Sequence, residues 1–126
     1  MTPEASDQLA PALRDRLRAA LKPAMKSRDR SAVAALRSAL GAIDNAEAVD
    51  AAEVKAGALE DSAIGLGAAE VSRRHLTEAD IEAIVRREID ERRSTASEYE
   101  KLGATDRSSQ LSAEADTLAA LLQDAP

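Results

Sequence analysis

The first recurring pattern along the chain is a row of large apolar residues spaced four apart. The row consists of Leu9, Leu13, Leu17, Leu21 and Met25, and the positions that follow most of them carry Lys or Arg. Apolar residues that return on one side at this interval are typical of an amphipathic helix. The sequence therefore predicts a first helix that begins near residue 9.

Two prolines fall within this helix. Pro11 suits the first turn, because backbone N–H groups in that turn make no hydrogen bond within the helix and proline lacks this group. Pro23 lies in the interior, where it removes a hydrogen bond and crowds the preceding turn, so we expect a kink or a break there. The polar stretch SRDRS at residues 27–31 then turns the chain.

A second helix is predicted from about Asp29 to Ala48, with Asp29 as its N-cap. Its apolar positions alternate three and four apart, at Val33, Leu36, Leu40 and Ile43. Two consecutive helices with a short polar joint form an antiparallel hairpin, here over residues 9–48.

The periodicity fails between residues 49 and 76, where glycine occurs at positions 57, 65 and 67. We expect a flexible loop there, or a loop that carries one short helix around residues 51–58.

Helical spacing returns after this segment. Thr77 is the expected N-cap of a third helix, and Gly103 is expected to end it. The residues of this helix that follow helical spacing are Ile81, Val85, Ile89, Arg92, Ala96 and Tyr99, and they place Tyr99 on its apolar face. A last helix is predicted from about Asp106 to Gln123, with its apolar residues at Leu111, Ala115, Leu118 and Leu122. Residues 1–126 are therefore expected to form a single all-α domain of four main helices. Two hairpins, 9–48 and 77–123, are joined by the loop 49–76 in an irregular bundle.

Composition agrees with an all-helical chain. It contains 29 alanines, one aromatic residue, Tyr99, and no cysteine. Alanine is the strongest helix former, whereas strands favour aromatic and β-branched residues. An alanine-rich core is thin, so we expect such a domain to rely on a partner or on self-association. Without a signal-like start or a long apolar run, we expect a soluble, cytoplasmic protein.

No motif for catalysis stands out. The sole histidine, His75, lies in the unpatterned segment, and the GLG at residues 65–67 lacks the strand and lysine of a phosphate-binding loop. Carboxylates on the third helix alternate with arginines, as in ordinary solvated ion pairs. We therefore expect no enzymatic activity, cofactor or metal.

Charge is more informative, because the formal net charge is -6 and yet the first hairpin is basic. The candidate nucleic-acid-binding residues there are Arg14, Arg18, Lys22, Lys26, Arg28, Arg30 and Arg37. In one interpretation the first four form a row that neutralises a phosphate backbone. In the other they are a solvated face beside the leucine row, and the sequence leaves both open.

Two blocks of the chain resemble the GatB/YqeY family, which is related to the C-terminal region of the GatB subunit of the tRNA-dependent amidotransferase. The first block, residues 21–47, matches at Leu21, Lys22, Ala24, Met25, Lys26, Asp29, Leu36, Arg37, Ala42, Ile43, Asn45 and Glu47. The second, residues 76–106, matches at Glu88, Arg92, Arg93, Tyr99, Gly103 and Asp106. The chain departs from the pattern at Ala104, where the family has Arg, and it ends where family members commonly continue with further small helices.

The resemblance implies a non-catalytic helical accessory module, associated with carbon–nitrogen ligase activity that uses glutamine as the amide donor. Its candidate partners are tRNA and a protein of the amidotransferase or translation machinery. The alternative is a structural or self-associating helical protein, a homo-oligomer with no nucleic-acid role.

Overall fold

The computed structural model describes residues 12–62 and 76–123, without the side chains of residues 54 and 58–62. Within these residues the chain forms four helices and no strand, which confirms the predicted all-α fold. They are α1 (Leu13–Lys26), α2 (Arg30–Ser62), α3 (Glu78–Lys101) and α4 (Thr105–Gln123). The predicted helix start near Leu9, the turn at Pro11 and His75 lie outside the described residues.

Helix α1 buries the predicted leucine row at Leu13 and Leu17 but not at its end, Met25. Leu13, Leu17 and Ala24 are buried, whereas Met25 is 48% exposed. Each step of four residues turns about 40° past a full helical turn, so Met25 lies roughly 120° around the axis from Leu13, while Ala24 lies about 20° from it. Of the two outcomes expected at Pro23, a break was wrong, because α1 continues through this residue to Lys26, and a kink stays a prediction.

The joint between α1 and α2 is a Schellman motif. The amide of Arg28 donates to the carbonyl of Met25 (3.2 Å), and the amide of Asp29 donates to that of Ala24 (3.0 Å). Arg28 adopts the left-handed conformation with φ 58°. The Asp29 carboxylate then accepts from the amide of Ala32 at 3.1 Å, which confirms it as the N-cap of α2.

Helix α2 packs through small residues. Its buried positions are Ala32, Ala35, Leu36, Ala39 and Ile43, and the predicted core residues Val33 and Leu40 are only partly buried. Alanine at these positions lets the backbones of neighbouring helices approach closely.

The interpretation of residues 49–62 as a loop was wrong, since α2 continues to Ser62. This stretch is built mostly from Ala, Glu, Val and Lys, which favour or tolerate a helix, and one interior glycine, Gly57, costs only about 1 kcal/mol. The helix persists where the apolar pattern stops, so Val49 is 51% exposed. The remainder of the predicted loop, residues 63–75, lies outside the described residues.

Helices α3 and α4 form the second hairpin. Thr77 and Asp80 make a reciprocal capping box at the start of α3, as expected. At its end, Gly103 (φ 79°) donates to the carbonyl of Glu100 and Ala104 to that of Tyr99, which is again a Schellman motif. Buried Ile81, Val85, Ile89, Ala115 and Leu118 face the common core with α1 and α2.

Tyr99 does not belong to that core, contrary to the sequence-based expectation. Its side chain is only partly buried, and the guanidinium carbon of Arg107 lies 5.9 Å from the ring centroid. The ring therefore packs at the edge of the second hairpin, beneath a cation.

Two polar contacts hold α1 against the second hairpin. The amide of Leu13, in the first turn of α1, donates to a carboxylate oxygen of Glu78 at 2.8 Å. The Nε of Arg16 donates to the carbonyl of Leu121 at 3.1 Å. Ala12 offers no capping side chain, so Glu78 supplies from α3 the acceptor that α1 lacks locally.

A largely buried polar network joins three of the helices. Arg92 donates to Glu114 (2.9 Å) and to Glu88 (2.8 Å), and their side chains are 14%, 6% and 15% exposed. Ser38 of α2 donates to Glu88 at 2.8 Å, and Gln110 donates to Glu114 at 3.2 Å. Solvated ion pairs were expected along α3. At Arg92 the structure instead forms a largely buried network.

Candidate nucleic-acid interface

The predicted row of four cations on α1 does not act as a row. From Arg14 to Lys26 the helix turns by roughly 120°, so the two side chains leave different sides of it. Arg14 contacts Glu47 at 3.0 Å and Asp44 at 3.6 Å, and its side chain is 19% exposed. This guanidinium holds α1 to α2 and is not free to contact phosphate.

Arg18 lies on the surface next to Asp15, with 3.9 Å between guanidinium and carboxylate. Both side chains are well exposed, and such pairs contribute little to stability. The neighbouring acid nonetheless lowers the local positive potential, so Arg18 is a weaker candidate for binding phosphate than the cations nearer the joint.

The other candidate residues lie at the closed end of the first hairpin, and we call them the basic cap: Lys22, Lys26, Arg28, Arg30 and Arg37. All five are exposed, and none forms an ion pair with a residue in 12–62 or 76–123. Asp29 is the single acidic residue between positions 22 and 37, and its carboxylate caps α2. The basic cap therefore keeps its charge available to solvent or to a partner.

A shallow groove of about 450 Å³ lies within the basic cap, and we call it the hairpin groove. Its apolar surface comes from Met25, Val33 and Ala34, and its cations are Arg28, Arg30 and Arg37. One guanidinium nitrogen of Arg37 lies 3.9 Å from the sulfur of Met25. The groove thus combines an apolar floor with three guanidinium groups.

The sequence located the cations of this site but not its floor. Met25 was expected in the core with the leucine row, and Val33 in the core of α2. The rotation of about 100° per helical residue would have predicted the position of Met25, because it places this residue about 120° around the axis of α1 from Leu13. Ala34 and Arg37, one turn apart on α2, carried no signal beyond their helical spacing.

A second cavity, of about 420 Å³, lies between α3 and α4. Arg86, Asp90 and Arg93 surround its apolar residues Ile89 and Leu122. Its cations are largely neutralised, because Arg86 lies 3.8 Å from Glu82 and Arg93 lies 3.5 Å from Asp116. The first hairpin is therefore the more favourable surface for an anionic partner.

Two other kinds of site were sought in the described part of the chain. No cluster of three or more His, Asp or Glu residues there has a geometry that could hold a metal ion. None of the helices described combines the length and the apolar character needed to cross a bilayer.

No protein-family model, no curated protein and no solved structure matches this chain. The resemblance to the GatB/YqeY family therefore rests on its two sequence blocks alone.

Proposed function

We propose that the chain is a non-catalytic binding module of the GatB/YqeY type that binds tRNA through the basic cap. The observation that carries this proposal is the set of five exposed cations that form no ion pair within the part of the chain that the structure describes, in a protein of acidic net charge. The two sequence blocks that resemble the family support a partner from the tRNA-dependent amidotransferase or translation machinery. Ligase chemistry, with glutamine as the amide donor, would then belong to that partner.

The net charge of -6 does not prevent such binding. At physiological ionic strength charges are screened over about 8 Å, so a phosphate group at the basic cap responds mainly to the cations beside it. The contacts release counterions from RNA, which makes affinity fall steeply as salt rises. We therefore expect weak binding that is confined to this end of the molecule and depends strongly on salt.

The test compares two variants with the same net charge. In the first, Lys22, Lys26, Arg28 and Arg30 are replaced by Gln. In the matched control, four exposed cations outside the basic cap are replaced by Gln, namely Lys55, Arg86, Arg87 and Lys101. Gln keeps helix propensity, so both variants should retain the helical circular dichroism of the parent.

Binding of tRNA is measured by fluorescence anisotropy between about 50 and 200 mM salt. The basic-cap variant should bind at least ~10-fold more weakly and lose up to about 0.9 units of logarithmic salt slope for each phosphate contact removed. The control variant should resemble the parent. Equal losses in the two variants, or a parent that shows no salt-sensitive binding at low salt, would refute the proposal.

A second candidate function is self-association, favoured by the exposed alanine-rich half of α2. Val49, Ala51, Ala52 and Ala56 are exposed there, and a helix without tertiary packing is only marginally stable in water. Sedimentation velocity over a range of protein concentrations tests this function. A dimer weakened by Ala52→Asp, in a protein that does not bind tRNA, would favour it over the first proposal.

A further inference from the structure

We infer that the hairpin groove seats one unpaired nucleotide of an RNA chain, with the base on the apolar floor and the adjacent phosphates at the three guanidinium groups. The inference rests on the proposed function and deepens it. It states that the RNA segment recognised at this end of the molecule is single-stranded.

The composition of the groove carries the argument. Contacts to a duplex backbone need cations only, whereas here Met25, Val33 and Ala34 form an apolar surface between Arg28, Arg30 and Arg37. Met25 is 48% exposed, and of the three exposed large apolar residues in the described part of the chain, Met25, Val49 and Leu102, it is the one that lines this groove. An unpaired nucleotide matches both parts, since it offers an apolar base face and negative charge on either side.

The absence of an aromatic ring from the groove does not exclude a base. Arginine guanidinium planes stack on unpaired bases in RNA-binding proteins, and a guanidinium nitrogen of Arg37 contacts the sulfur of Met25 at 3.9 Å. The methionine side chain is polarizable and adapts its shape to flat partners. Together these two residues form one continuous surface on which a single face of a base can stack.

The size of the groove favours a nucleotide over an acidic helix. On α2 the groove extends from Arg30 to Arg37, which is about two turns or roughly 10 Å. An amphipathic helix that binds in a groove usually inserts apolar anchors at i, i+3 or i+4 and i+7, over the full length of about 10 Å. The apolar floor on α2, in contrast, is limited to Val33 and Ala34, between Arg30 and Arg37. The volume of about 450 Å³ suits a small occupant.

The backbone at Arg28 agrees with a binding role. Its left-handed conformation is one that glycine adopts without strain, and yet the residue there is an arginine on the rim of the groove. Non-glycine residues in this conformation cluster at binding sites, where the contribution of the side chain to binding offsets the free-energy cost of the strained backbone.

The test uses four fluorescent probes. They are a single-stranded RNA of roughly ten nucleotides, the same strand in a duplex, an abasic ribose-phosphate strand of equal length, and adenosine monophosphate. The proteins are the parent, Met25→Gln, which removes apolar floor without changing charge, and Val49→Gln as a matched control at an exposed valine outside the groove.

The parent should bind the single strand roughly 10-fold more tightly than the abasic strand, as expected for one stacked base. Met25→Gln should abolish this preference while the salt slope and the affinity for the abasic strand remain unchanged. Val49→Gln should behave as the parent does. Circular dichroism checks that the helix content of both variants is retained.

Each other outcome overturns the inference in a distinct way. If the duplex and the abasic strand bind as tightly as the single strand, and still respond to salt and to the basic cap, the groove holds no base but the proposed function survives. If no RNA probe binds, both proposals fail. Binding of adenosine monophosphate as tight as that of the strand would assign the groove to free nucleotides, and displacement of RNA by an acidic amphipathic peptide without any base preference would assign it to a protein.

Discussion

Arg28 and Gly103 occupy the same position in the two hairpins. Each is the second residue beyond the last residue of a helix, each has a left-handed backbone with φ 58° and 79°, and each donates its amide within a Schellman motif. The motif accepts glycine without strain, whereas any residue with a Cβ is less stable in this conformation. The two joints thus share one backbone geometry, with the long cationic side chain of Arg28 in one and a glycine in the other.

Replacing Arg28 by Gly should therefore stabilise the protein. The gain is expected to be about 0.5–1 kcal/mol, because relief of the left-handed strain exceeds the extra freedom that glycine gives the unfolded chain. Urea denaturation followed by circular dichroism measures it. The same variant should bind RNA more weakly than the parent, and a loss of stability would show that the Arg28 side chain makes contacts that outweigh its strain.

Gly103→Ala and Gly41→Ala should change stability in opposite directions. At both positions an added Cβ would meet nothing within 4 Å, so only the backbone distinguishes them. Alanine should cost about 1 kcal/mol at Gly103, with its positive φ, and gain about 1 kcal/mol within α2 at Gly41. Thermal and urea unfolding of the two variants test this, and changes of the same sign would contradict it.

The Arg92 network should be sensitive to the removal of a single partner. Glu114→Ala removes one of the two carboxylates that bind the Arg92 guanidinium, while the ion pair with Glu88 remains. The expected loss is that of a hydrogen bond to a charged group, which is typically worth about 1.5–3 kcal/mol. In a domain of this size, that loss is a large part of the total stability. The free energy of unfolding in urea provides the measurement.

The matched control neutralises the whole network, as Arg92→Met with Glu114→Leu and Glu88→Gln, because Glu88 would otherwise lose its cation. These replacements leave no uncompensated charge, and the glutamine introduced at position 88 can still accept the hydrogen bond from Ser38, so this variant should be more stable than Glu114→Ala. If it is no more stable, Arg92 and Glu114 stabilise the protein mainly through packing rather than through their charges.

The pKa of Arg92 fixes the pH range in which the network holds. Burial lowers the pKa of this guanidinium, but the hydrogen bonds of Glu114 and Glu88 raise it by more, so the pKa lies above its usual value. A group whose pKa is raised on folding provides stability that is lost as pH rises through that raised value. Arg92 should therefore remain charged, and keep its part in the network, until pH rises into the strongly alkaline range.

Tyr99→Ala should be mild for an aromatic truncation. The ring is only partly buried and its identified ring contact is Arg107, so we expect a loss of about 1 kcal/mol rather than the 3–5 kcal/mol of a core aromatic. A double-mutant cycle with Arg107→Ala isolates the contact with the ring. A loss above about 3 kcal/mol would place Tyr99 in the core after all.

Local signals in the sequence predicted the start of α2 and both ends of α3 well. Asp29, Thr77 and Gly103 act at the positions where they were expected, because capping and left-handed turns depend on a few adjacent residues. The fold class followed from helical spacing and from the abundance of alanine. These features need no knowledge of distant contacts.

Properties that depend on packing were predicted less well. The leucines of α1 recur every four residues, whereas an α-helix makes one turn every 3.6 residues. The row therefore shifts around the helix axis with each turn, and its last member, Met25, is exposed. Arg14 was assigned to phosphate binding because Asp44 and Glu47 are distant in sequence, and only the packing of α1 on α2 brings them together. The extension of α2 to Ser62 lacks an apolar stripe, and intrinsic helix propensity alone indicates it.

The contacts that fasten α1 to the second hairpin bear on the order of folding. The bonds from Leu13 to Glu78 and from Arg16 to Leu121 close separations of 65 and 105 residues, whereas each hairpin forms from neighbours in the chain. Contacts of long separation must first overcome the entropy of loop closure, so the hairpins should form early and this fastening late. The native protein should accordingly open first at the start of α1, with rapid hydrogen exchange at the amide of Leu13 while the amides of the second hairpin remain protected.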